Sequence, residues 1–137
     1  MTMASTPVLR IGSPDGWREI PIESLVEHPD LIRGGAAVVD RRGDAVPVRA
    51  IIDTDLPWVS VTSDDGTYRA TIPAEQLLGG GLLLIGTSAE PLGEAEGGPV
   101  RLVVSEGSTL CWNVKFVSSI EATVEPLPDS IPENPSH

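Results

Sequence analysis

Arg101, Lys115 and Cys111 are the residues whose type and placement could support chemistry. Arg101 stands inside Pro99-Val100-Arg101-Leu102-Val103-Val104, and Lys115 inside Asn113-Val114-Lys115-Phe116-Val117-Ser118-Ser119-Ile120. Both runs are otherwise largely apolar and read as strands, with Pro99 at a first position that tolerates its missing donor. Alternation sets Arg101 on one face with Val103, while Val100, Leu102 and Val104 share the other. It sets Lys115 with Asn113, Val117 and Ser119, opposite Val114, Phe116 and Ile120. The loop between the runs is short, which predicts neighbouring strands in one sheet and cations converging on one side. A planar guanidinium and a mobile ammonium there suit an anionic group. The plainer alternative places both cations on a solvated face against glutamates, a contact worth roughly 0–1 kcal/mol. Spacing alone favours that alternative.

Other constellations reduce to architecture. Gly79-Gly80-Gly81 leaves a helical stretch and enters an apolar one, whereas phosphate loops lead into a helix whose free N–H groups face the anion. No Gly-x-x-x-x-Gly-Lys-Ser/Thr string occurs. His28 sits beside Pro29 in an acidic segment and reads as a surface histidine rather than a general base. Cys111 has apolar flanks and no histidine nearby, which suits a packed thiol better than a nucleophile. Asp64-Asp65 is turn chemistry, and Glu90, Glu94 and Glu96 lack the ligand spacing of a calcium loop.

The elements that must position the two cations are legible in outline. Val59–Ser63 and Thr67–Ile72 alternate around Asp64-Asp65-Gly66, a strong hairpin signal. Pro73–Leu78 opens a short helix, ended by the glycine run, and Leu82–Ile85 reads as a buried strand. Before them, Val8–Ile11 predicts an edge strand followed by the turn Ser13-Pro14-Asp15-Gly16. Pro21–Glu27 predicts a short helix that stops before Pro29. Ala36–Asp40 predicts a strand closed by Arg41-Arg42-Gly43-Asp44, and Pro47–Asp53 is open between strand and helix. The last strand extends toward Val124. From Pro126 the chain is proline-rich and acidic, without a basic residue, and reads as a disordered tail over 126–137 behind a single domain over 1–125.

Composition narrows the function classes. The chain has 137 residues, 14 Gly and 13 Pro, with nine Lys and Arg against 20 Asp and Glu for a net charge of −11. Such a surface repels phosphate backbones, so no nucleic-acid partner is expected. One cysteine and two histidines exclude a disulfide framework and a Cys/His zinc site. No leader-type or membrane-spanning run is present, and the expectation is a cytoplasmic protein with no membrane partner.

From Val46 to Ile120 the sequence resembles the molybdopterin-binding domain of the sulfite oxidase family. Val46-Pro47-Val48-Arg49-Ala50-Ile51-Ile52 is similar to its "VPL…LL" segment, and Val59–Pro73 to a hairpin ending at an Ile-Pro helix start. Gly97-Gly98-Pro99-Val100-Arg101-Leu102-Val103-Val104 resembles its most recognisable string, and Val114–Ile120 its lysine-bearing strand. The resemblance implies a β-rich α+β fold of sulfite-oxidase type, reduced, with two or three short helices. It implies a pterin or anion pocket with Arg101, Lys115, Gly98 and Asn113 as cofactor-binding candidates. One departure matters. The family's enzymes hold molybdenum through a cysteine upstream of the "VPL…LL" segment, and no cysteine precedes Cys111 here. Hard Ser, Asp or Arg side chains do not replace a soft thiolate. The expectation is therefore a non-catalytic binding module, without catalytic or metal-ligating residues and without a bound cofactor, molybdopterin being the one that the resemblance would allow. Two alternatives stand beside it: a molybdopterin oxidoreductase with Cys111 as an unusual ligand, and a protein-interaction domain using Trp17, Trp58, Trp112 and the acidic tail.

Overall fold

A computed structural model describes residues 8–35, 43–64, 66, 68–87, 92–93, 98–104 and 114–128. In chain order the strands are β1 (Val8–Ser13), β2 (Gly16–Pro21), β3 (Asp44–Pro47), β4 (Trp58–Ser63), β5 (Arg69–Pro73), β6 (Gly81–Gly86), β7 (Arg101–Val104) and β8 (Val117–Thr123). The helix α1 (Ala74–Gly80) lies between β5 and β6, and 3₁₀ turns occupy Ile22–Glu27 and Val48–Ala50. This is the strand-rich α+β architecture that the sequence predicts.

The β4–β5 hairpin forms as its alternation requires. Val59 pairs with Ile72 and Val61 with Ala70, all four fully buried. Gly66 closes the turn at φ +73, a conformation that a Cβ makes costly. Pro73 precedes α1, which buries Ala74 and Leu77, and the chain then enters β6 at Gly81.

Two sheets result. One runs β2-β1-β8-β4-β5 and the other β3-β6-β7. All neighbours are antiparallel except β1 and β8, which run parallel. One large core fills the space between them, drawing Leu9 and Ile11 from β1, Ile120 and Ala122 from β8, Leu83 and Ile85 from β6, and Leu102 from β7.

Four expectations are corrected. The Val8 strand is interior, between β2 and β8; the edge is β2, whose residues are all exposed except half-buried Ile20. A strand without a buried face carries no alternation to find. Residues 44–47, expected to begin as a turn, form β3, and the ambiguous stretch after Pro47 becomes the Val48–Ala50 3₁₀ turn. The strands of Arg101 and Lys115 do not pair as neighbours in one sheet: β7 belongs to the three-stranded sheet and β8 to the five-stranded one. Their segments are linked by an isolated bridge between Leu102 and Val114, with N···O distances of 2.8 and 3.1 Å, and by the Val117 amide donating to the Val100 carbonyl.

The fourth correction concerns the run from Asn113 to Ile120. After Val114 the chain bends at Lys115 and Phe116, with Phe116 at φ 54, and only then starts β8. A bulge follows, because Thr62 pairs with Ser119 while Ser63 pairs with Val117. Ser118 is the extra residue, and its hydroxyl donates to the carbonyls of Ser63 at 3.1 Å and Thr62 at 3.4 Å. The bulge turns Val117 into the core, where it is 3% exposed, instead of onto the face expected to carry Lys115. The predicted strand at Ala36–Asp40 lies outside the described residues, as do Cys111, Trp112, Asn113 and the tail from Asp129 onward.

Candidate functional site

β7 holds Arg101 opposite Leu84 of β6, which stands opposite Ala45 of β3. On the same face Val103 lies opposite Leu82. Ala45, Leu84, Val103 and Leu92 make a second, smaller apolar cluster there, with Leu82 packed against it. Arg101 therefore leaves a covered apolar face rather than a water-washed one. It is half-buried, and its Nε atom is enclosed. The stem of such a side chain packs with its neighbours while the head keeps a polar surrounding.

Lys115 reaches the same neighbourhood through the backbone. The Leu102–Val114 bridge lies on one side of it, and the amide of Val117 donates to Val100 at 2.9 Å on the other. These bonds set Lys115 alongside Arg101, with its own side chain exposed. Gly98 lies just before β7, at the wall of a cleft beside β1 and β8. It is buried, its amide donates to Gly93 at 2.9 Å, and a Cβ there would lie 2.0 Å from the Leu92 carbonyl oxygen. That contact makes Gly98 a packing requirement of the loop that carries Leu92. Asn113 lies outside the described residues.

This cleft, of about 790 Å³, opens beside β1 and the start of β8, against Gly98 and Pro99 just before β7. Its walls include Val8, Ile22, Leu92, Pro99, Phe116 and Val117, with Arg10, Asp64, Gly98 and Ser118. Neither Arg101 nor Lys115 is among the described residues lining it. Arg10 was not anticipated. Its guanidinium carbon sits 4.9 Å from the centre of the Trp17 ring, and Trp17 packs over Gly12, its pairing partner across β1 and β2. Recognising the β1–β2 hairpin would have revealed that stack, since the pairing brings Trp17 onto Arg10's side of the sheet. His28, set aside as a base, accepts a hydrogen bond at Nδ1 from the Asp30 amide at 3.0 Å, as a turn residue does.

The donor chemistry does not fit a thiolate-held molybdenum among the described residues. The chain's one cysteine lies outside them, and no three His, Cys, Asp or Glu side chains there come together. Arg101 and Lys115 are of the right type for the anionic end of a pterin phosphate. No helix among the described residues is long and apolar enough to cross a membrane.

Comparisons with known proteins agree with this architecture. No curated protein matches the chain. Among solved structures, the sulfane dehydrogenase SoxCD from Paracoccus pantotrophus is similar, with a TM-score of 0.66 at 16% identity. The match covers 93% of this chain and 41% of that one, so this chain spans under half the length of its structural relative. At that identity the likeness speaks for the fold. Residues 17–131 match the family described as the oxidoreductase molybdopterin binding domain, a span extending beyond Val46–Ile120 at both ends. By that match, over most of its length, the chain belongs to the oxidoreductase molybdopterin-binding domain family.

Proposed function

We propose that this chain is a non-catalytic binding module of its family, one that keeps the two-sheet scaffold and an anion site at Arg101 and Lys115 without a molybdenum centre. One observation carries the reading: across the family-matched residues 17–131 the sole thiol is Cys111, late in the sequence between the Arg101 and Lys115 segments. The family's metal ligand is expected before the "VPL…LL" segment, and oxygen donors do not substitute for it. The half-buried setting of Arg101 beside the backbone of Lys115 supports the retained anion site.

The test is to express the full chain in a host that makes molybdopterin, then measure molybdenum by mass spectrometry and released pterin by fluorescence. Molybdenum well below stoichiometric is expected; one metal per chain overturns the proposal. The anion site is tested with inorganic pyrophosphate as the probe. Arg101→Met keeps the apolar stem and removes the charge, so it should weaken pyrophosphate binding about tenfold with stability held within about 1 kcal/mol. Equal binding by the variant and the unmodified chain removes Arg101 from the site.

A further inference from the structure

The cleft beside β1 and β8 has a largely apolar wall and a single cation among its described lining residues, Arg10. Its volume of about 790 Å³ falls within the range of small-molecule sites. Val8 of β1 and Val117 of β8 supply apolar wall from the five-stranded sheet, Ile22 from the first 3₁₀ turn, and Leu92 and Phe116 from outside the strands.

Arg10 is held in an unusual way for so acidic a chain. Twenty carboxylates face nine Lys and Arg side chains, yet no described carboxylate lies within ion-pair distance of Arg10, although Glu19 stands opposite it across β1 and β2. Its guanidinium rests instead on the Trp17 ring at 4.9 Å. A guanidinium over a ring face uses none of its N–H donors there, and they remain able to receive a carboxylate through two hydrogen bonds. Trp17 is itself seated against Gly12, so the platform is built before any ligand arrives.

From this we infer that the cleft beside β1 and β8 binds a small monoanionic carboxylate with an apolar body, its carboxylate on Arg10 and its body against Phe116 and Val117. Asp64, also on the wall, disfavours a second negative charge, and Ser118 is committed to Thr62 and Ser63, so the interior offers little to a polar body. This site is separate from Arg101 and Lys115 and does not depend on the metal reading, so the two proposals can fail independently.

The probe pair is 1-naphthoate and its neutral counterpart 1-naphthalenemethanol, titrated into the ¹⁵N-labelled full chain and followed by amide chemical shifts. Saturable shifts centred on Arg10, Phe116, Val117 and Ser118 are expected, with naphthoate binding the tighter. Arg10→Gln should weaken naphthoate about tenfold and leave naphthalenemethanol unchanged. Val8→Trp, which fills the cleft, should abolish both; should it fail to fold, Arg10→Gln still decides. The inference is overturned if neither probe saturates by about 1 mM, if the shifts centre elsewhere, or if Arg10→Gln leaves naphthoate binding intact or weakens both probes equally.

Discussion

Two glycines show how much depends on what a missing Cβ would meet. At Gly98 it would meet backbone, the Leu92 carbonyl oxygen at 2.0 Å, and this obstacle cannot swing aside. Gly98→Ala should lower stability by about 3 kcal/mol, read as the midpoint of urea unfolding. At Gly12 it would meet the Trp17 ring at 2.6 Å, and Trp17 is 47% exposed and able to turn outward. Gly12→Ala should therefore cost under about 1 kcal/mol while shifting tryptophan emission to the red as the ring leaves the sheet. The two variants differ by one methyl each. Their contrast separates a glycine the loop requires from one the Arg10 platform uses.

Among the elements, β8 owes its register to a single inserted residue. Ser118 bonds two successive carbonyls of β4 and lets Val117 and Ile120 both reach the core. Ser118→Ala should cost about 1 kcal/mol, measured by thermal unfolding. The same bulge explains where sequence reasoning stopped. The hairpin around Gly66, the helix after Pro73 and the apolar strand at Leu82–Ile85 were legible because each depends on neighbours within a few residues. The edge strand β2 was not, for it buries almost nothing and leaves no period. Nor was the sheet assignment of β7 and β8, because the bend at Lys115 and Phe116 is set by contacts with strands far away in the chain. At the site the same limit applies: Arg101 drew notice as a cation among apolar residues, whereas Arg10 gains its meaning only through a cross-strand tryptophan.

For the molecule as a whole, the segment after β8 is joined to the sheet rather than trailing from it at its start. Ser60 and Thr71 lie buried on the face of the five-stranded sheet away from the main core, their hydroxyls 3.1 Å apart, and Thr71 donates to the Leu127 carbonyl at 2.8 Å. Arg69 reaches the Pro128 carbonyl at 3.4 Å. Ending the chain after Glu125 removes both acceptors and should destabilise it by about 1–2 kcal/mol, while ending it after Pro128 should leave the melting temperature within a degree or two. Comparing the two truncations by differential scanning calorimetry checks this. The pairing order of that sheet has one more effect. Among the described strands its middle one, β8, comes last in chain order and joins the β1–β2 hairpin to the β4–β5 hairpin. While the polypeptide emerges from the ribosome, β1 and β4 each hold an edge that no other described strand closes, so this sheet's assembly waits for residues 117–123 and is exposed to aggregation until they arrive.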